Sequence, residues 1–173
     1  LEIKSRPKLV TVGSKSQIAD NSGTAYYYTQ AEMKDLVKYA QLRNVILIPE
    51  IDMPGHTNAI LASYPELACG AVRPWPYAAE EVGFSSFCLK EPERRQDIYD
   101  FITDVYGEIF EIFPSKWIHI GGDEASVTSK TGYNELMVWL QDYLLANNRV
   151  MMGWGEMLNA DLKPGALAQE WFY

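Results

Sequence analysis

Asp123 and Glu124 stand side by side after two glycines, in the run His119 to Ala125 (HIGGDEA). Two carboxylates brought to one cavity repel each other. The neutral form of one is then favoured, the state a general acid needs near neutral pH. The glycines let the backbone pass close to a ligand. A structural alternative stands beside this reading, in which Asp123 caps the next helix and Glu124 is solvated. Three more polar or aromatic groups recur at comparable places: Glu50-Ile51-Asp52 with His56, Trp154 with Glu156, and Trp171. Each has a plainer role to weigh. A histidine after a Pro-Gly turn is often a structural hydrogen-bonder, a lone tryptophan is core by default, and Asp52 reads as a residue that stitches its loop.

What must position these groups is an alternation of strands and helices. Val45–Ile48, Trp117–Ile120, Val150–Trp154 and Ala166–Trp171 read as strands. The first is apolar throughout, the pattern of a strand buried on both faces of a parallel sheet. Thr29 followed by Glu32 has capping-box spacing, and Met33, Leu36, Val37 and Ala40 form a helical stripe ended by Asn44. A second helix opens near Pro92 with the stripe Ile98, Phe101, Ile102, Val105, Ile109. A third carries Leu136, Trp139, Leu140, Tyr143 and Leu144, which makes Trp139 a core residue; Trp75 has no assigned role. The first 25 residues read as irregular, punctuated by Pro7, Gly13 and Gly23. From Pro49 to about Lys90 the chain is proline-rich, with a short helix over Thr57–Tyr64 and the look of a functional loop region. Alternation of this kind predicts one α/β domain over 1–173 with parallel strands. The segment Glu156–Gly165 is too short for a full crossover helix. In such folds catalytic groups collect at the carboxyl ends of strands, where all four clusters fall. Four strands do not close a barrel of eight, so both outer edges are expected to need cover.

Composition narrows the clientele. Formal net charge is −8, which disfavours phosphate backbones and anionic membrane surfaces and leaves neutral ligands such as sugars. Aromatics make up 13% of the chain, with five Trp and eleven Tyr, enough for some rings to face a ligand. No apolar run approaches the roughly 18 to 20 residues that span a bilayer. Two histidines and no ligand-spaced cysteine cluster argue against a metal site, and no cofactor motif is present. The two cysteines, Cys69 and Cys88, suit either a disulfide or two free thiols, and their spacing does not choose. The chain opens on Leu1, so its start is expected to be internal to a longer protein.

Two blocks, Ile48 to Asn58 (IPEIDMPGHTN) and His119 to Ala125 (HIGGDEA), resemble the signature segments of glycoside hydrolase family 20, the β-N-acetylhexosaminidases. Gly153 to Glu156 (GWGE) and Ala168 to Trp171 (AQEW) fall where that family places its next two strands. The resemblance implies a (β/α)8 barrel that removes terminal β-linked N-acetylglucosamine or N-acetylgalactosamine with retention. Its nucleophile is the substrate's own 2-acetamido oxygen, an exception to the two-carboxylate scheme. Consecutive residues suit that exception, because an ordinary acid and nucleophile flank the bond from about 5 to 9 Å apart. Glu124 matches the general acid/base, and Asp123 the group that orients the acetamido and stabilises the oxazolinium. Trp154 and Trp171 match aromatics that wall the acetamido pocket, and His56 a supporting histidine. The loop cysteines of related sequences can be bridged, which favours a Cys69–Cys88 disulfide, and an extracellular, periplasmic or lysosomal setting.

The match covers about strands three to six of that barrel. In the family, an arginine and an aspartate on the first two strands grip the sugar and pair with the histidine. A tyrosine, an aspartate, a tryptophan and a glutamate on the last two also hold the sugar. None of these lies in the chain. Remote contacts of this sort position the reacting centre, so the chain alone is expected to be weak or inactive unless a second copy or another segment completes the cavity. The alternative function is an inactive or carbohydrate-binding remnant of the same fold.

Overall fold

The computed structural model describes residues 1–15, 24–70 and 85–171. In chain order its elements are α1 (Lys8–Thr11), α2 (Gln30–Gln41), α3 (Asn58–Ser63), α4 (Pro92–Ile112), β1 (Trp117–His119), α5 (Lys130–Ala146), β2 (Val150–Trp154) and β3 (Leu167–Gln169). Gly23 and Trp75 lie outside the described residues.

Strands β1, β2 and β3 lie side by side in that order, all parallel, with Ile118 opposite Met151 and Gly153 opposite Ala168. Parallel neighbours need a crossover. α5 supplies it between β1 and β2, burying Leu136, Met137, Leu140 and Leu144. The predicted short connection between β2 and β3 is a single 3-10 segment, Gly155–Asn159. α4 buries the whole expected stripe from Ile98 to Ile109. Rings join the two helices, with Trp139 stacked on Tyr99 at 4.2 Å and on Tyr143 at 5.4 Å. Arg149 donates to the carbonyls of Phe110, Phe113 and Ser115, satisfying acceptors at the end of α4 and just beyond it.

The caps follow the side chains. In α2 the Thr29 hydroxyl accepts the Glu32 N–H at 3.2 Å and the Glu32 carboxylate accepts the Thr29 N–H at 2.8 Å. At α5 the cap is Ser129, whose hydroxyl accepts the Gly132 N–H at 3.1 Å, so Asp123 does not serve there.

Two expectations need correction. Val45–Ile48 is not a strand buried on both faces: Val45, Ile46 and Ile48 are 49%, 61% and 40% exposed. Pairing starts one residue later. His119 N–H donates to Pro49 O, Ile51 N–H to His119 O and Met53 N–H to Ile120 O, each at 3.0 Å. Residues 49–53 therefore form the rung beside β1, and no described strand covers 45–48 on its far side. The opening segment is also more regular than its composition suggests, since α1 and a 3-10 turn at Gly13–Lys15 lie within it. Among the described residues no helix is long and apolar enough to cross a membrane.

Candidate active site

Residues 49–53 explain which side chains gather at the carboxyl end of the sheet. Alternate positions of an extended segment face the same way, so Glu50 and Asp52 share one face and Ile51 and Met53 the other. The turn Met53 to Thr57 then folds over the loop that follows β1. A side chain on Gly55 would meet Asp123 O at 3.0 Å and Ala125 Cα at 3.5 Å, so the two loops touch backbone to backbone. His56, in the left-handed region with φ 52°, is thereby set over the carboxylates.

The loop after β1 abandons strand geometry. Gly121 and Gly122 have φ of 68° and 98°, and Glu124 has φ 46°. Positive φ at a non-glycine residue is strained and is concentrated at functional sites. Here it undoes the alternation that would send consecutive side chains to opposite faces. Both reach one nitrogen: His56 Nε2 lies 3.2 Å from Glu124 Oε2 and 3.5 Å from Asp123 Oδ2.

Beneath them sits Asp52. Its Oδ1 accepts the Gly122 N–H at 3.1 Å, and one of its carboxylate oxygens lies within 4.8 Å of one of Asp123. The glycines thus make room for Asp52 from below. Burial foremost, reinforced by the Asp123 charge and opposed by the Gly122 N–H and His56, pushes the Asp52 carboxyl up to about 7. Sequence reasoning assigned Asp52 only to stitching. It does stitch, and it is also a titrating member of the cluster. The polar/apolar alternation of residues 50–53 is the signal that could have placed it.

His119 ends β1 and is 5% exposed. Its Nδ1 accepts the Gly121 N–H at 3.2 Å and lies 3.4 Å from Glu50 Oε1, and burial lowers its pKa. The Trp154 ring meets it edge-on at 5.0 Å, and Trp154 Nε1 donates to Glu50 at 3.1 Å. Glu50 thus orients an indole, a role the sequence did not suggest. Trp171 Nε1 donates to Glu156 Oε2 at 3.2 Å. Tyr133 Oη donates to Gly122 O at 2.7 Å and bolts the turn to α5; burial raises its pKa. A cavity of about 400 Å³ adjoins this turn, lined by Gly122, Ser126, Tyr133, Glu156 and Asn159 among others. Neither the carboxylate pair nor the two indoles line it. The carboxylates are therefore united by His56, while each tryptophan is held by its own glutamate.

Asp52, His56 and Asp123 bring one donor atom each within 4.8 Å of one another. Each already engages another protein group, and we read the three as a hydrogen-bonding network. Cys69 and Cys88 form a disulfide with Cα atoms 4.7 Å apart, tying the end of the α3 region to the segment before α4.

Residues 1–172 match a family model described as glycosyl hydrolase family 20, catalytic domain. A β-hexosaminidase of Porphyromonas gingivalis is 33% identical over 190 residues, a stretch that takes in 99% of this chain and 24% of that protein. The solved structure of the family 20 β-N-acetylhexosaminidase from Streptomyces coelicolor A3(2) matches with a TM-score of 0.87 at 39% identity. A mutant Streptomyces plicatus β-hexosaminidase in complex with product GlcNAc matches with 0.88 at 41% identity. Both alignments cover 98% of this chain and 33% of the other. The chain thus spans a quarter to a third of the length of these relatives. The α/β architecture read from the sequence, a partial (β/α)8 barrel with parallel strands, is the one it shares with them.

Proposed function

Because this chain belongs to glycosyl hydrolase family 20, we propose that the protein carrying it removes terminal β-linked N-acetylhexosamine from amino-sugar glycosides by a substrate-assisted, retaining mechanism. The observation that carries the proposal is the meeting of Asp123 and Glu124 on one imidazole nitrogen, 3.5 and 3.2 Å away. Carboxylates this close do not flank a glycosidic bond as acid and nucleophile. They suit a reaction in which the substrate brings its own nucleophile.

In the first step the acetamido oxygen attacks C1 and the bond to the leaving oxygen breaks. Glu124 gives its proton to that oxygen. Asp123 faces the acetamido nitrogen, aligning it and stabilising the positive charge of the oxazolinium. A fixed carboxylate is effective here, since the loss of one preorganised partner typically costs about 2.7 to 4 kcal/mol. In the second step Glu124 takes a proton from water as it adds to C1, which restores the acetamido group and retains the anomeric configuration. His56 holds both carboxylates, and the indoles of Trp154 and Trp171 offer apolar walls to the sugar and the acetamido methyl.

A chromogenic aryl N-acetyl-β-glucosaminide tests this reading. Turnover is expected to fall at least 100-fold in Glu124→Gln, and equally when the 2-acetamido group is replaced by hydroxyl. Turnover of the hydroxyl analogue at the same rate would overturn the mechanism. Absence of any turnover by the folded full-length protein favours the carbohydrate-binding remnant. Every residue of β3 is open to solvent. We propose that a second copy or a complementing segment covers this edge, so that sedimentation should show an assembly larger than one chain. A monomer with an uncovered β3 counts against it.

A further inference from the structure

We infer that Asp52 acts as a neutral acid and a positioning residue: its carboxyl proton supplies the hydrogen bond that the buried Asp123 Oδ1 otherwise lacks. The inference rests on the proposed role of Asp123 and adds to it the means by which that carboxylate is held.

Asp123 has two carboxylate oxygens in different surroundings. Its Oδ2 faces His56 Nε2, but its Oδ1 is buried and has no hydrogen-bond partner among the described residues. An unpaired buried carboxylate oxygen is costly, more so than a neutral group. The neighbouring acid is Asp52, which has a carboxylate oxygen within 4.8 Å of one of Asp123. As an anion Asp52 can only accept, and two neighbouring anions repel. As a neutral acid it donates through one oxygen while the other continues to accept the Gly122 N–H at 3.1 Å. A single proton therefore satisfies both groups.

The surroundings favour this state. His56 of its own loop and Asp123 of the loop after β1 each have a polar atom within 4.8 Å of Asp52, and Tyr106 of α4 and Tyr133 of α5 are its further electrostatic neighbours. Of these only His56 opposes the neutral form. The Tyr106 hydroxyl is fully buried and has no hydrogen-bond partner among the described residues. Loss of the shared proton leaves two neighbouring anions, and Asp123 must move away from Asp52. The arrangement makes the orientation of Asp123 a function of pH.

Carboxyl ¹³C NMR titration of the aspartate-labelled chain tests the proposal without reference to turnover. One aspartate is expected to titrate near neutrality. That signal disappears in Asp52→Asn, and in Asp123→Asn it moves down by at least one pH unit. Titration of every aspartate below about 5 overturns the inference, as does a neutral titration unmoved by Asp123→Asn. A second readout uses the aryl N-acetyl-β-glucosaminide. Asp52→Asn keeps an N–H toward Asp123 and is expected to lose at least tenfold less kcat than Asp52→Ala, with the inflection near neutrality gone from its pH profile. Equal losses in the two variants count against a positioning role. A full-length protein carrying this chain that titrates as described yet hydrolyses nothing sinks the proposed function and leaves the proton-sharing pair standing.

Discussion

The carboxylate of Asp52 occupies the space that a side chain on Gly121 would need. An ideal Cβ at Gly121 falls 1.8 Å from Asp52 Oδ1 and 2.7 Å from Asp52 Cα, and the glycine has φ 68°. The first glycine of the run therefore answers to a neighbouring carboxyl within the fold. The same turn sends Asp123 and Glu124 toward His56, so the fit beneath Gly121 and the aim of the two carboxylates are one problem.

Gly121→Ala is accordingly expected to destabilise the chain by at least about 2 kcal/mol, through backbone strain and displacement of Asp52. The control is Gly107, exposed in the middle of α4, where a Cβ meets nothing within 4 Å. Gly107→Ala removes a helix-breaking residue and is expected to stabilise by about 0.5 to 1 kcal/mol. Urea denaturation of the two variants gives the comparison. Equal effects would mean that Asp52 relocates freely.

Asp52 also predicts a slope of stability with pH. Its carboxyl is raised from an ordinary 3.8 to about 7, so between those values the folded chain holds a proton that the unfolded chain has released. The contribution is fully present below about 4, falls as pH rises through the window, and is gone above about 7. A shift of this size corresponds to about 4 kcal/mol at most, and on the order of 2 kcal/mol after allowance for partial exposure. Denaturation at pH 4.5 and 7.5 should show the decline in the parent chain, and Asp52→Asn should remove that part of it. A parent and variant with parallel slopes would leave Asp52 without a buried titration.

Much of this was legible in the sequence because it is local. The Thr29/Glu32 capping box, the α4 stripe from Ile98 to Ile109 and the extent of β2 follow from short-range spacing, and all are present. Asp123 with Glu124, Trp154 with Glu156, and Trp171 do fall at or just beyond the ends of β1, β2 and β3. What spacing does not carry is which residues of an apolar run take the backbone rung. Val45–Ile48 has the stronger β composition, yet Pro49–Met53 pairs with β1. That shift by a few residues moves Glu50 and Asp52 into the paired segment, where their shared face becomes the floor of the site. The fit of Asp52 beneath Gly121 joins positions far apart in sequence, and no periodicity reports it.

The disulfide offers a test away from the site. Cys69 and Cys88 close a loop with a sequence separation of 19, and Cys88 is fully buried. A cross-link over a loop of this length is worth about 3 kcal/mol through the entropy of the unfolded chain. Urea denaturation with and without a thiol reductant should differ by about that amount. A difference under about 1 kcal/mol would mean that the 3-10 turn at Pro65–Leu67 and the start of α4 hold the loop ends together unaided.

His56 connects the floor of the cluster to its working face. Its Nε2 is 3.2 Å from Glu124 Oε2 and 3.5 Å from Asp123 Oδ2, and its charge opposes the neutral form of Asp52. Removing the imidazole in His56→Ala has two expected consequences of different kind. The neutral titration of Asp52 should move upward, because the influence that lowers it is gone. Turnover of the aryl N-acetyl-β-glucosaminide should fall by about 100-fold in kcat with KM little changed, because misplacement of a reacting group by about 1 Å costs that much. The two readouts separate the roles. A raised titration with unchanged kcat would make His56 an electrostatic neighbour of Asp52 alone. Reduced kcat with an unmoved titration would tie it to Glu124 and break the proposed link through Asp52.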